Sequence, residues 1–296
     1  MLRPQGILGP GNILGDTALT SVMATIGRGA GFAVPLFVAA WFGVTDGTDA
    51  FFYVYGIILL LAGIFAPVVQ NVLVPFVAEI KAQNEREIGD FLGRALVVAV
   101  LALTAMAVLV LLVVKPVLGV VSDFSAESID LIARLLMETV PLLVLLMVTS
   151  LLSGTLNAYK KFSVPAVSPG LRAAVALAVI FALKSTIGVH SIALGYVLGE
   201  LVRCVTLLVV ATRLGVGPSF RSLRLDGRIV HFLRTASYQV AGLSVLACTP
   251  IVDKTMASWL ASGSVSVLEY ATRLYEVPMT FMVSGFFVVL LSHWSI

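Results

Sequence analysis

The chain has 296 residues, of which 59% are hydrophobic and 12% charged, and its mean hydropathy is +1.05; soluble domains run to roughly half apolar and a quarter charged. Nineteen basic and 16 acidic side chains are too few to coat a compact body of 31.3 kDa, which excludes an ordinary soluble enzyme and makes lipid the solvent for most of the surface. The net charge of +3 is spread along the chain with no basic block interleaved with aromatics, which argues against a nucleic-acid partner.

A spanning helix needs roughly 20 predominantly apolar residues, because only a helix satisfies its own backbone inside about 30 Å of hydrocarbon. Eight stretches qualify, at about 15–43, 49–79, 92–115, 128–157, 164–184, 189–212, 233–260 and 264–292. The breaks carry turn chemistry: Val44 to Thr48, Lys81 to Asp90, Lys115-Pro116 with Ser122-Asp123, Asn157 to Ser163, Lys184 to Gly188, and Gly215 to Arg228. The predicted fold is therefore all-α, a polytopic membrane protein of about eight helices. We divide it into a six-helix bundle over 1–212, a cytoplasmic amphipathic connection over 213–232, and the first two helices of a second bundle over 233–296. The first apolar run lacks a basic lead and cleavage site and reads as a retained helix.

With the N-terminus inside, the inner loops hold eleven basic residues (Arg3, Lys81, Arg86, Arg94, Lys160, Lys161, Arg213, Arg221, Arg224, Arg228 and Arg234) and the outer loops hold only Lys115 and Lys184. That bias places both termini in the cytoplasm. The connection at 220–234 mixes basic and apolar positions, as a helix lying on an anionic leaflet would. Residues 81–94 read as a solvated turn or short helix.

Six bases fall within the apolar segments: Arg28, Arg134, Arg172, Arg203, Lys254 and Arg273. Each costs at least a few kcal/mol near the bilayer centre, so each should face protein or water. Arg134 and Arg172 sit near segment ends, where snorkelling to the headgroups accounts for them. Arg28 lies among Gly27, Gly29 and Gly31, which leave room for a bulky anion beside the backbone. Glu200 and Arg203 are three apart, Glu269 and Arg273 four apart, and Asp253 adjoins Lys254, so the first two pairs can bridge along a helix face. Two readings stay open for these pairs: self-neutralised structural bridges, or cations for a phosphate group with carboxylates that compete for them or bind a coupling cation.

Pro35, Pro67, Pro75, Pro141, Pro165, Pro169, Pro250 and Pro278 fall within or beside the apolar runs, where they permit kinks that suit a carrier. Cys204 and Cys248 both read as small core residues. His190, His231 and His293 are scattered, and no HExxH, GxSxG, phosphate-binding glycine loop or cysteine pair at ligand spacing occurs. No catalytic residue, metal site or resident cofactor is expected, and the job is translocation or binding.

The stretch ASGSVSVLEYATRLYEVP at 261–278 resembles the loop and start of the eighth helix in the MurJ/MviN family of lipid II flippases, within the superfamily of multidrug and oligosaccharide-lipid exporters. GRGAGF at 27–32 with FGVTDGTDAFF at 42–52, VPFVAEIK at 74–81 and NAYKKFSVPAVSP at 157–169 are similar to further family segments in the same order. The resemblance implies an alternating-access carrier whose two bundles enclose a cationic cavity. It places Arg28 on the family's first-helix arginine, Asp49 on its acid opening the second helix, and Arg273 on its eighth-helix arginine. The sequence departs at Val34, Ala62, Gly63, Pro67 and Thr272, where the family has charged residues, so the cavity should be less positive.

The cavity residues expected from both lines are Arg28, Asp49, Glu200, Arg203, Asp253, Lys254, Glu269 and Arg273. The resemblance further implies a multi-pass protein of the bacterial inner membrane that moves lipid II or a similar undecaprenyl-pyrophosphate sugar among membrane lipids. Family members have about 14 helices, so an incomplete chain, a second half-carrier or self-association is expected. Competing readings are a flippase for another lipid-linked oligosaccharide, a cation-coupled drug exporter, and a non-transporting scaffold.

Overall fold

The structure, a computed structural model, describes residues 29, 31–220, 227–276 and 278, and the regular structure among them is helical. In chain order the helices are α1 (Gly31–Phe42), α2 (Asp46–Val68), α3 (Val74–Gln83), α4 (Ile88–Val121), α5 (Ala126–Ala158), α6 (Ser163–Ile187), α7 (His190–Arg213), α8 (Gly227–Ala247) and α9 (Thr249–Ala257), then α10 over 264–276. A π-helical turn, Val69–Leu73, joins α2 to α3, so the two form one rod with a local widening. A break at Cys248 separates α8 from α9, and Pro250, in the first turn of α9, supplies no backbone N–H there.

Six helical stretches among the described residues are long and apolar enough to cross a membrane: α2, α4, α5, α6, α7, and α8 with α9 together. The shorter α1 and α10 coincide with the first and last predicted spans and border residues outside the described set. Each of the eight predicted stretches thus contains helix. Burial separates their roles. The apolar stretch of α2 is mostly enclosed, whereas that of α4, the most apolar, is mostly open, with Leu101, Leu109 and Leu112 exposed. An apolar helix left open in this way needs lipid as its solvent.

Packing is layered along the bundle. One core gathers Phe51, Phe52 and Ile58 of α2 with Leu103, Leu135, Ile180 and Ile192; a second, at the end carrying Lys81, Arg94, Lys160, Lys161 and Arg213, gathers Leu73, Phe91, Leu156, Leu207 and Phe232. We call this the basic end. The helices α6 and α7 form a tight antiparallel hairpin because glycines line the contact: a Cβ at Gly199 would lie 2.6 Å from the Arg172 carbonyl oxygen, and one at Gly195 would lie 2.9 Å from that of Ala176.

Three expectations are corrected. The helix α4 runs through Pro116 to Val121, and its end is made by Ser122, whose N–H and Oγ both donate to the Leu118 carbonyl. The part of the 220–234 connection that is described, from Gly227, is the start of α8 and not a surface helix: Ile229 and Phe232 are buried against Phe76 and Phe91. Cys204 is buried as expected, but Cys248 is exposed.

Candidate functional site

Two helices from the end of the chain, α9 and α10, pack against α2 and leave a cavity of about 500 Å³ between them, lined by Gly56, Gly63, Pro250, Asp253, Lys254, Glu269, Thr272, Arg273 and Glu276. Lys254 reaches across this contact. Its Nζ donates to the Phe52 carbonyl oxygen at 2.7 Å and pairs with Glu269 Oε2 at 2.7 Å. Gly56 makes the approach possible, because a Cβ there would sit 2.9 Å from Lys254 Cδ and 3.0 Å from Nζ. Glu269 accepts from Arg273 Nε at 2.8 Å through its other oxygen, and Arg273 Nη1 donates to Glu276 at 2.7 Å. Helical spacing of four and three puts these three side chains on one face of α10.

A second cavity, of about 250 Å³, opens on the other side of Arg273, toward α1, α6 and α7; Val34, Tyr55, Arg172, Tyr196, Arg273 and Glu276 are among its lining. Behind it lies a network inside the first bundle. The fully buried carboxylate of Glu200 accepts from Thr149 at 2.6 Å, from Arg203 Nη1 at 3.1 Å and from Arg172 Nη1 at 3.3 Å, and Arg203 Nε donates to Ser168 at 3.0 Å. At 1.5 Å per residue, Arg172 is about 14 Å from the start of α6, Glu200 about 15 Å from the start of α7 and Arg273 about 14 Å from the start of α10. Those depths are near the centre of a hydrocarbon layer about 30 Å thick.

The far end from the basic residues is a polar seam. Asp49 is buried and accepts from the backbone N–H of Gly263 at 2.7 Å and of Ser266 at 2.8 Å, and from the Ser266 hydroxyl. A carboxylate on the exposed N–H groups of a helix start also complements the positive end of that helix's dipole. Tyr270 donates to the Gly43 carbonyl at 3.0 Å, Trp259 to the Val121 carbonyl at 3.0 Å, and Ser262 to Asp46. Gly263 has a positive φ of +91°, and a Cβ there would strike Val44 at 2.0 Å, so this tight turn requires glycine. At the basic end, Arg228 pairs with Glu87 and donates to Gln83. Tyr159, just past α5, donates to Glu85, and burial, reinforced by that carboxylate, pushes its phenol well above the usual tyrosine range.

Of the residues expected from the sequence, Asp253, Lys254, Glu269 and Arg273 come together on the larger cavity. Glu200 and Arg203 meet as expected but form the network behind the smaller one. Asp49 lies at the seam, away from both midplane cavities, and its bonds are to the chain itself. Arg28 is outside the described residues. Arg134 is exposed, consistent with snorkelling, but Arg172 is not: it turns inward to Glu200 with 21% of its side chain exposed. Sequence reasoning also passed over Glu276, although its spacing from Arg273 placed it on the same face. Among the described residues the lining of the larger cavity carries the acids Asp253, Glu269 and Glu276 and the bases Lys254 and Arg273. Among the described residues no group of three or more His, Cys, Asp or Glu is arranged to hold a metal ion.

Comparison with known proteins adds a family. A profile described as Lipid II flippase MurJ matches residues 38–296. The chain is 30% identical over 286 residues to a lipid II flippase MurJ of Burkholderia cenocepacia, covering 90% of this chain and 54% of that protein. A probable lipid II flippase MurJ of Aquifex aeolicus is 28% identical over 267 residues, covering 88% and 52%. The chain thus spans about half the length of the curated relatives it matches. Among solved structures, a lipid II flippase MurJ in an inward closed conformation superposes with a TM-score of 0.74 at 22% identity, over 88% of this chain and 55% of that one. A transporter of the wider superfamily from Pyrococcus furiosus gives 0.66 at 14% identity, over 95% and 66%.

Proposed function

The chain belongs to the lipid II flippase MurJ family, and from that premise we propose that it forms the first half of a carrier moving a lipid-linked cell-wall precursor, lipid II or a similar undecaprenyl-pyrophosphate sugar, across the bacterial inner membrane. The helices α1 to α7 make up the first bundle, and the helices from α8 onward begin the second, with the basic end toward the cytoplasm. Alternating access needs two bundles that move about a site at their interface, and this chain supplies the first bundle and the start of the second. No covalent chemistry is assigned to it.

The observation that carries this reading is the placement of Lys254, Glu269 and Arg273 on a cavity between α2 of the first bundle and α9 and α10. A diphosphate entering there displaces Glu269 from its two cations, and Coulomb attraction in a low-dielectric site is strong enough to make that exchange a conformational signal. The bonds from Gly263 and Ser266 to Asp49 tie the start of α10 to α2 at the far end, and in this reading that joint is the gate on that side. Asp49, Glu200 and Arg203 support the cavity and do not line its larger part; Arg28, Asp253, Lys254, Glu269 and Arg273 remain the proposed substrate or coupling-cation groups.

Deleting the gene should raise the pool of undecaprenyl-pyrophosphate-linked precursor on the inner leaflet, and Arg273→Ala should reproduce that rise. An unchanged precursor pool in the deletion strain would instead favour the second reading, a cation-coupled drug exporter or a flippase for a different lipid-linked sugar. The acids Asp253, Glu269 and Glu276 on the larger cavity are the observation on that side.

A further inference from the structure

Away from both midplane cavities, a groove of about 290 Å³ opens on the outside of the first bundle, lined by Ser163, Val164, Val167, Ser168 and Leu171 of α6 and by Thr206 of α7. It starts at the first residue of α6, at the basic end, and from Ser163 to Leu171 it runs about 12 Å along the helix. That length fits within the roughly 15 Å of hydrocarbon in one leaflet. Val167 and Leu171 stay exposed, at 43% and 37%. A lipid chain of that leaflet reaches such a wall; a water-soluble partner does not.

The mouth of the groove is cationic. Lys160 and Lys161 lie three and two residues before Ser163, are exposed, and enter no ion pair among the described residues. Their backbone is fixed: the N–H of Lys161 donates to the Leu156 carbonyl and that of Lys160 to the Asn157 carbonyl, both at 2.9 Å. This pattern ends α5 with a left-handed residue that is usually glycine. Here it is Lys160, with φ +56°, a conformation that costs a lysine energy and glycine none, so nothing in the turn itself calls for a lysine. Tyr159 pins the turn, donating to Glu85 and carrying Lys81 Nζ 3.9 Å from its ring centre. Helix α6 begins without a side-chain cap, so its first N–H groups add to the positive potential there.

We propose that this groove is a binding site for an anionic phospholipid of the cytoplasmic leaflet, with the headgroup phosphate at Lys160 and Lys161 and one acyl chain along Val164, Val167 and Leu171. Charge complementarity selects the occupant: anionic lipids of that leaflet meet two held lysines at the end of an apolar wall. Ser168, the buried member of the lining, accepts from Arg203 Nε at 3.0 Å, so a lipid seated there covers the Glu200 network from the hydrocarbon side. The site depends on the basic end facing the cytoplasm and not on what the carrier moves.

The test is native mass spectrometry of the full chain released from micelles after equilibration with dioleoylphosphatidylglycerol, or with dioleoylphosphatidylcholine as the zwitterionic control with the same chains. Wild type should retain one phosphatidylglycerol in preference to phosphatidylcholine. Lys160→Gln with Lys161→Gln should weaken that retention by roughly thirtyfold, the scale of two lysines at an anionic headgroup. Val167→Trp fills the groove from an exposed position and should expel the lipid from a folded chain. Lys115→Gln removes a cation at the opposite end and should change nothing. Lys160→Gly separates binding from folding: it suits the left-handed position and should raise the melting temperature without lipid, yet lower phosphatidylglycerol retention about fivefold.

Equal retention of the two lipids by wild type, or undiminished phosphatidylglycerol in the double lysine variant or in Val167→Trp, would overturn the proposal. So would a dimer that Val167→Trp dissolves, since a second copy of the chain would then occupy the groove. None of these results bears on the transport reading, which the precursor pool tests separately.

Discussion

The polar seam and the midplane network both hold a buried carboxylate where α10 meets the first bundle, yet they satisfy it in opposite ways. Asp49 is satisfied by backbone N–H groups and a hydroxyl belonging to the chain. Those donors cannot leave without unwinding the turn at Gly263, so Asp49 works as a fastener. Glu269 is satisfied by two cations that themselves line a cavity, and a ligand with phosphate oxygens can take them over. The same residue chemistry therefore yields a fixed joint at one depth and an exchangeable one at another, and what decides between them is whether the partner is main chain or a long side chain facing open space.

Breaking the exchangeable joint should have the largest effect on stability. Glu269→Gln leaves the buried Lys254 without its counter-ion, while Arg273 keeps Glu276, and should destabilise the chain by about 3–5 kcal/mol, the usual consequence of removing one partner of a buried pair; adding Lys254→Met should recover much of that loss, read as melting temperature in detergent. Breaking the fastener comes next: Asp49→Ala leaves the N–H groups of Gly263 and Ser266 without acceptors, and should lower stability by about 2–3 kcal/mol. A finer test of the contact itself is Gly56→Ala. Its new methyl group meets Lys254 Cδ and Nζ, and the crowding should cost about 1–2 kcal/mol while lengthening the reach of Lys254 to Phe52. At the bottom of the scale, Lys115→Ala removes an exposed pair with Asp130 and should leave the melting temperature unchanged, as solvated pairs generally do.

The fold was largely legible in the sequence because each span must be apolar for about 20 residues whatever it packs against. Helix ends were less so. Lys115-Pro116 looked like a stop, but the helix continues to Val121, where Ser122 provides the cap; the amphipathic look of 227–234 reflected Ile229 and Phe232 packing on α3 and α4 at the bundle's rim, with the polar positions left outside. In the candidate site, the pairs at helical spacing, Glu200 with Arg203 and Glu269 with Arg273, were readable because spacing fixes the face. Contacts between helices far apart in sequence were not. Nothing local distinguished Arg172, which turns inward to Glu200, from Arg134, which turns out. Nor could spacing tell that Asp49 meets the start of α10 and not the cavity, since that depends on how α2 and α10 cross.

Closure of the larger midplane cavity by the Asp49 joint is open to a direct test. Thr272 lines the larger cavity and takes no part in its ion pairs, so a single cysteine at Thr272, with Cys204 and Cys248 replaced by serine, reports on that space. A membrane-impermeant thiol reagent added on the side of the Asp49 seam should label Thr272→Cys slowly when Asp49 is present and many times faster with Asp49→Ala. Equal labelling rates with and without Asp49 would contradict that closure.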